Sequence, residues 1–416
     1  MERNIKLSIE YQCPQCGAPA ELTENDRIFS CAYCRVRSYL MPPGYFRYLL
    51  PHHAAETREL IYFPYWRIKG LLFSCVKNRI DGRFVDTSQQ AVKSGYFPFS
   101  AGIRPQVDKL TFATRKSPGR FLRSDISLDG AVDRFKDSQA RFVPKPIYHQ
   151  AYIGDVVSLL YAPFYVADGR LYNAALNQPL TRGSRIPEDL AAMLETTRTI
   201  DNETRFFPTI CPGCGWDMSG EKDAVVLLCP NCQTAWEPTL KGYKKRSFVS
   251  LVDVGARGTH LPFWRITADV DGAALNTVAD FIRMANLTRP PKDSGTDSRF
   301  HFWVPAFKVQ PKMFINLLRR LTAVQFQADD GERQLPRETM IPVNLPVSEA
   351  IQTLKIVFAD FARPKWRVFP QLAQIRFTVR ESLLVYIPFN DGHHDLIQPQ
   401  LTLGIPKSLF KLAENL

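Results

Sequence analysis

Eight of the nine cysteines in this 416-residue chain stand in four C-x-x-C pairs. They are Cys13-Pro14-Gln15-Cys16, Cys31-Ala32-Tyr33-Cys34, Cys211-Pro212-Gly213-Cys214 and Cys229-Pro230-Asn231-Cys232. A C-x-x-C turn brings two thiolates close enough to share one cation, and two such turns supply the tetrahedral sulfur cage that Zn²⁺ prefers. Fourteen residues separate Cys16 from Cys31, and the same number separates Cys214 from Cys229, a length that suits a short β-hairpin carrying the second turn. The expectation is two structural Zn²⁺ ions, one on Cys13, Cys16, Cys31 and Cys34 and one on Cys211, Cys214, Cys229 and Cys232. Iron is the alternative, since spacing alone does not separate it from zinc. Four thiolates leave no position for a reacting water, so the metal is expected to act as a staple and not as a catalyst.

The C-P-x-C-G form of the first turn in each set, with Gly17 and Gly215, resembles the zinc-ribbon class with its rubredoxin-like knuckles. The resemblance covers roughly 30 residues in each copy and implies a small metal-stapled β module. It carries nothing about the remaining chain.

Both cysteine sets lie on one internal repeat. Shifting the chain by 198 residues superimposes all four pairs, together with Gly44-Tyr45 on Gly242-Tyr243 and Pro64-Tyr65-Trp66-Arg67-Ile68 on Pro262-Phe263-Trp264-Arg265-Ile266. Residues 11–68 and 209–266 share 12 identities in 58 ungapped positions, and these fall on cysteines, glycines and the tryptophan motif. A period near 200 predicts two domain-sized copies and not a solenoid. With gaps, Ser158-Leu159-Leu160-Tyr161-Ala162-Pro163-Phe164 matches residues 382–389, and Phe97-Pro98-Phe99 matches the stretch beginning at Phe302.

The elements that must position these groups follow from patterning. Residues 60–76 are dense in β-branched and aromatic side chains and predict a strand, with Pro64 placing it at an edge or a bulge. Leu128, Ala131, Val132 and Phe135 predict an amphipathic helix. Helices are expected over 276–285, 311–323 and 348–363, the last ended by Pro364, with one more in the inter-half stretch after Pro187 and a last short one from Pro406. Residues 374–379 and 382–389 read as two strands, and Asp329-Asp330 as a turn. The fold class is α+β: an internal duplication, each half a four-cysteine zinc ribbon plus a β-rich mixed body domain with short helices. The expected organisation is a ribbon over residues 1–40, a body over 41–177, a linker with a short helix over 178–208, a second ribbon over 209–240 and a second body over 241–416.

Composition bounds the function. Lys and Arg exceed Asp and Glu by 12, which favours anionic partners: nucleic acid, an anionic membrane surface or an acidic protein. No apolar run reaches the roughly 20 residues of a membrane-spanning helix, and residues 1–6 carry no signal-peptide core. The odd cysteine count with metal-type spacing predicts a reducing cytoplasm, with Cys75 as a core residue. The seven histidines lack metal spacing beside an acid. No phosphate-binding glycine loop, dinucleotide fingerprint, zinc-protease helix or nucleophile elbow occurs, so the chain is expected not to be an enzyme.

Two groups of residues are candidates for interaction. Trp66, Arg67, Trp264 and Arg265 either pack each ribbon's body or form a recognition surface. Lys241, Lys244, Lys245 and Arg246, next to Tyr243, could grip a phosphate backbone. The leading expectation is a zinc-binding, non-enzymatic scaffold or adaptor that meets protein partners through two homologous halves. The alternative is a nucleic-acid-binding protein that uses the ribbons and their basic-aromatic flanks.

Overall fold

The computed structural model describes residues 7–101, 109–142, 144–180, 188–197, 199–200, 203–251, 258–288, 297–326, 328 and 331–413. Expectations that fall on residues 1–6, on Pro187 and on Asp329-Asp330 lie outside these residues. The chain is mixed α+β and divides into two compact units.

The first unit comprises Met1–Lys69, Asp86–Ser138 and Val156–Pro208. Its main sheet runs, in spatial order, Gln178–Pro179, Arg170–Asn173, Ile147–Ala167, Phe46–Leu49, Lys109–Phe112, Ser8–Gln12 and Pro19–Thr23. The strand Ile61–Val76, which carries Trp66, pairs with Ile147–Ala167, Arg79–Gln90 and Arg120–Phe121. A second sheet stacks Arg205–Pro208 antiparallel on Arg37–Met41, which pairs in turn with Ile28–Ser30. The stretch expected to link the halves therefore contributes a strand to the first ribbon's sheet. Aromatic rings fill this core: Phe63 stacks on Phe97 at 3.9 Å, and Tyr11 stacks on Phe206 at 5.0 Å. Such pairs add stabilisation beyond the area they bury.

The second unit comprises Gly70–Val85, Gln139–Asp155 and Thr209–Leu416. Three short strands, Leu227–Cys229, Thr234–Thr239 and Gly242–Arg246, form the ribbon sheet. The body sheet is ordered Phe302–Pro305, Gly258–Asp271, Arg376–Asp391, Asp395–Gln398 and Leu403–Pro406, with Phe248–Ser250 parallel on Arg376–Asp391. Helices Val278–Ala285, Pro311–Val324 and Leu354–Phe361 bury their apolar faces in the same core. Thr277 caps the first of these in a reciprocal capping box with Asp280.

Three sequence expectations need correction. The tryptophan strands are interior and not at an edge. On the side where Pro262 lacks a donor, the Gly258–Asp271 strand changes partner, from an isolated bridge of His260 with Met340 to a ladder that starts at Phe263 opposite Pro305. A proline costs nothing at such a junction, because no ladder bond is due there. The helix expected over 348–363 is two, Val347–Gln352 and Leu354–Phe361, broken at Thr353, whose hydroxyl bonds back to the Ala350 carbonyl at 2.7 Å. The two strands expected over 374–389 are one, Arg376–Asp391, with a register shift that leaves Arg380 without a ladder partner opposite Thr267 and Ala268.

Each unit is built around the same hydrogen-bonded node. In the first, the Pro64 carbonyl accepts from Ala91 N at 3.0 Å, and the Ala91 carbonyl accepts from Asp125 N and Ile126 N at 3.1 and 3.0 Å. Trp66 Nε1 donates to the Ile126 carbonyl at 2.9 Å, and Lys93 N donates to the Asp125 carboxylate at 3.2 Å. In the second, the Pro262 carbonyl accepts from Ala306 N at 3.0 Å, and the Ala306 carbonyl accepts from Asn344 N and Leu345 N, both at 3.1 Å. Trp264 Nε1 donates to the Leu345 carbonyl at 2.9 Å, and Lys308 N donates to Asn344 Oδ1 at 2.7 Å. The last strand closes each node alike: Leu50 N donates to the Tyr161 carbonyl at 3.0 Å, and Leu251 N to the Tyr386 carbonyl at 2.9 Å. Ala91 thus corresponds to Ala306, so the expected match of Phe97 with Phe302 is displaced.

Candidate metal centres

Three of the four C-x-x-C turns are closed by a recorded backbone hydrogen bond. Gly17 N donates to the Cys13 carbonyl at 2.8 Å, Arg35 N to Cys31 at 3.0 Å, and Gly215 N to Cys211 at 2.9 Å. The residue after the second cysteine has a left-handed backbone in all four turns, with φ of 71° at Gly17, 60° at Arg35, 74° at Gly215 and 53° at Gln233. Glycine adopts that conformation freely, whereas an L side chain is strained in it. At Gln233 the side chain is anchored on both ends, its amide donating to the Pro230 carbonyl at 2.6 Å and accepting from Leu335 N at 2.8 Å.

The turns converge in pairs. Cys13 Sγ lies 3.6 Å from Cys34 Sγ and Cys16 Sγ 3.6 Å from Cys31 Sγ. In the second set Cys211 and Cys232 approach to 3.5 Å and Cys214 and Cys229 to 3.4 Å. Within each set all four sulfurs lie within 4.8 Å of one another. These separations are far beyond the roughly 2.05 Å of a disulfide. They are close to the spacing of about 3.8 Å that a tetrahedron of roughly 2.3 Å Zn–S bonds requires. Cys13, Cys31, Cys211 and Cys229 are buried, while Cys16, Cys34 and Cys214 are exposed and Cys232 is half-buried. Each cage is therefore closed toward its own module and faces solvent on the other side.

Electrostatics point the same way. The N–H groups of Cys34 and Tyr33, together with neighbouring thiols, hold the Cys31 thiol down at about 6. At Cys34 the N–H of Val36 pulls downward, but burial and the surrounding sulfurs push the thiol up to about 12. Burial pushes Cys211 up, yet the N–H groups of Gly213 and Cys214 and the adjacent thiols bring it to about 6. Burial and the thiols of Cys214 and Cys232 push Cys229 up to about 12. Four sulfurs this close cannot all ionise against one another, and a divalent cation removes that conflict by taking four thiolates at once. The donor set and its spacing thus fit a tetrahedral metal ion in both units. Thr234 adds a bond that the first ribbon lacks at the corresponding Val36: its hydroxyl lies 3.0 Å from Cys232 Sγ and accepts from Trp236 Nε1 at 2.8 Å. Contacts of this kind orient ligands around a metal.

The other sequence candidates divide cleanly. Trp66, Arg67, Trp264 and Arg265 are all buried, so their contacts are with the interior of their own unit. Lys241, Lys244 and Lys245 are exposed, and Arg246 is half-buried in an ion pair with Glu237. Sequence reasoning missed the partner of Arg67. Glu24 is buried, and its carboxylate takes Arg67 at 3.3 Å and Lys69 at 3.2 Å, while Asp86 holds the same guanidinium from the other side. The signal was present: two cations at alternate positions of an otherwise apolar strand must find a buried anion. Exposed aromatics at the metal knuckles were also missed. Tyr33 is 70% exposed and Trp216 59% exposed.

No family model, curated protein or solved structure matches the chain. No helix among the described residues is long and apolar enough to cross a membrane.

Proposed function

We propose that the chain is a metal-stapled interaction protein, derived from one duplicated unit, in which each half presents a four-cysteine ribbon on a β-rich body to a protein partner. The observation that carries this reading is one exposed ring at each four-cysteine set, Tyr33 between Cys31 and Cys34 and Trp216 two residues beyond Cys214. A large aromatic side chain in water, on a turn that a metal cross-link would hold rigid, has the chemistry of an interface anchor. Zn²⁺ is the ion we assign to both cages. With four thiolates around it, it would supply folding free energy and no reaction, so the reading is non-enzymatic. Metal-type cysteine spacing with Cys75 as a free thiol suits a reducing cytoplasm.

The test uses the full chain and a Tyr33→Ala/Trp216→Ala variant, each checked for two bound metal ions and then used to capture partners from nuclease-treated native lysate. The expected result is unchanged metal content with loss of the captured proteins. Capture that survives both substitutions would sink the reading. The second reading, nucleic-acid binding, rests on the exposed Lys241, Lys244 and Lys245 at the edge strand Gly242–Arg246. It predicts recovery that nuclease abolishes, with log affinity falling against log salt by about 0.7 to 0.9 per phosphate contact.

A further inference from the structure

The second unit holds a cavity of about 620 Å³ beside its metal centre, with Cys232 in the wall. That volume lies within the range of small-molecule sites, roughly 300 to 1,000 Å³. Lys245, Arg246, Arg265 and Arg333 line it, and among the described residues Glu381 is the one carboxylate in the lining. Arg246 is committed to Glu237, and Arg265 is buried on the Gly258–Asp271 strand. Lys245 and Arg333 are exposed. Thr234 and Ser247 also line the cavity. Its floor is apolar, made by Phe248, Val249 and Leu383, all of which are buried.

We infer that this cavity binds a phosphate ester of about mononucleotide size. Cations and hydroxyls together are what a phosphate selects, because each of its oxygens accepts charge-assisted hydrogen bonds. A purely inorganic anion would leave the apolar floor unused, and the floor suits the organic part of an ester.

The experiment is calorimetric titration of the metal-loaded full chain with ATP, pyrophosphate and adenosine at low ionic strength. One ATP per chain is expected, with pyrophosphate weaker and adenosine silent. Lys245→Ala and Arg333→Ala, both at exposed positions, should each weaken ATP binding by about tenfold or more, the worth of one charge-assisted hydrogen bond. Two bound metal ions in each variant show that the ribbon is intact. ATP binding that is absent, or unchanged in both variants, overturns the assignment. So does displacement of ATP by an oligothymidylate single strand whose affinity grows with its length, which would make the ligand a polymer backbone. Neither Tyr33 nor Trp216 lines the cavity, so failure here leaves the interaction reading of the ribbon tips untouched.

Discussion

The two halves agree where bonds run through the backbone and differ where they run through side chains. Around Trp66 and around Trp264 the same groups bond in the same order: proline carbonyl, alanine, a pair of amides and the indole N–H. The acceptors are carbonyls, so Ile126 can stand for Leu345 and Asp125 for Asn344 without loss of a bond. The ribbons are tied down by unrelated means. In the first unit the Glu24 carboxylate sits between Arg67 and Lys69. In the second, Val225 N donates to the Val343 carbonyl at 2.8 Å, and Asn344 donates to Asp223 at 2.7 Å. Even the group over each tryptophan differs, the Tyr45 ring at 4.6 Å from Trp66 and the Arg246 guanidinium at 6.0 Å from Trp264. A node held by main-chain groups tolerates sequence drift, whereas a buried ion pair binds each partner to the other's identity.

The strongest way to break this comparison is to remove the carboxylate that only the first half uses. Glu24→Gln removes the carboxylate that buried Arg67 and Lys69 share, a loss of about 3 to 5 kcal/mol. Lys222→Gln, the same position in the second half, is exposed and should change stability by less than about 0.5 kcal/mol. Hydrogen exchange resolved along the chain measures this better than one global midpoint, because two units need not unfold in one step. Protection should fall in the first ribbon and its body for Glu24→Gln and nowhere for Lys222→Gln. Equal responses would mean that the ion cluster does not dock the ribbon.

A smaller effect sharpens the comparison at the node itself. Trp66→Phe and Trp264→Phe keep an aromatic ring but remove the N–H that satisfies a buried carbonyl, at about 1 to 3 kcal/mol each. The two should not be equal. The Ile126 carbonyl also accepts from the Ser124 hydroxyl at 2.7 Å, whereas among the described residues Trp264 is the one side-chain donor to the Leu345 carbonyl. Trp264→Phe is therefore expected to cost more than Trp66→Phe, read as urea unfolding free energies of each variant. The reverse order would show that the indole's packing, and not its hydrogen bond, dominates both sites.

What was legible in the sequence follows the same division. The cysteine cages and the tryptophan motif could be read because their spacing is local and survives a fixed offset of 198. The rest of the node could not. Its second and third members lie across insertions, so Ala91 pairs with Ala306 at a different offset from Trp66 with Trp264, and a match of aromatic runs at Phe97 misled. Helix breaks and bulges were equally hidden, since Thr353 and Arg380 act through one hydroxyl and one extra residue in otherwise regular patterns. Burial of Arg67 and Lys69 was implied by their strand, but the anion that joins them comes from the ribbon, 43 residues away from the arginine. The exposure of Tyr33 and Trp216 is a property of packing that no spacing encodes.

The smallest predicted difference is in pH response. His260 stands where the first half has Tyr62, and its side chain is buried with Nδ1 3.9 Å from a Glu338 carboxylate oxygen. Burial lowers the imidazole below its ordinary value near 6.5, with Glu338 opposing only in part. Burial raises the Tyr62 phenol instead, so that group stays neutral wherever His260 titrates. Below about pH 6.5 the unfolded chain takes up a proton at residue 260 that the folded chain resists, so unfolding binds protons and stability falls with falling pH. The full contribution is present above that pH and the loss levels off below the folded-state value. Acid would also compete with a metal ion held by the thiolates, which would add a slope common to both halves. The observable is therefore a difference: His260→Tyr should be flatter than the natural chain between about pH 7 and pH 5 in urea unfolding. If both proteins lose stability in parallel, the acid sensitivity belongs to the ribbons alone, and the two bodies are alike in this respect too.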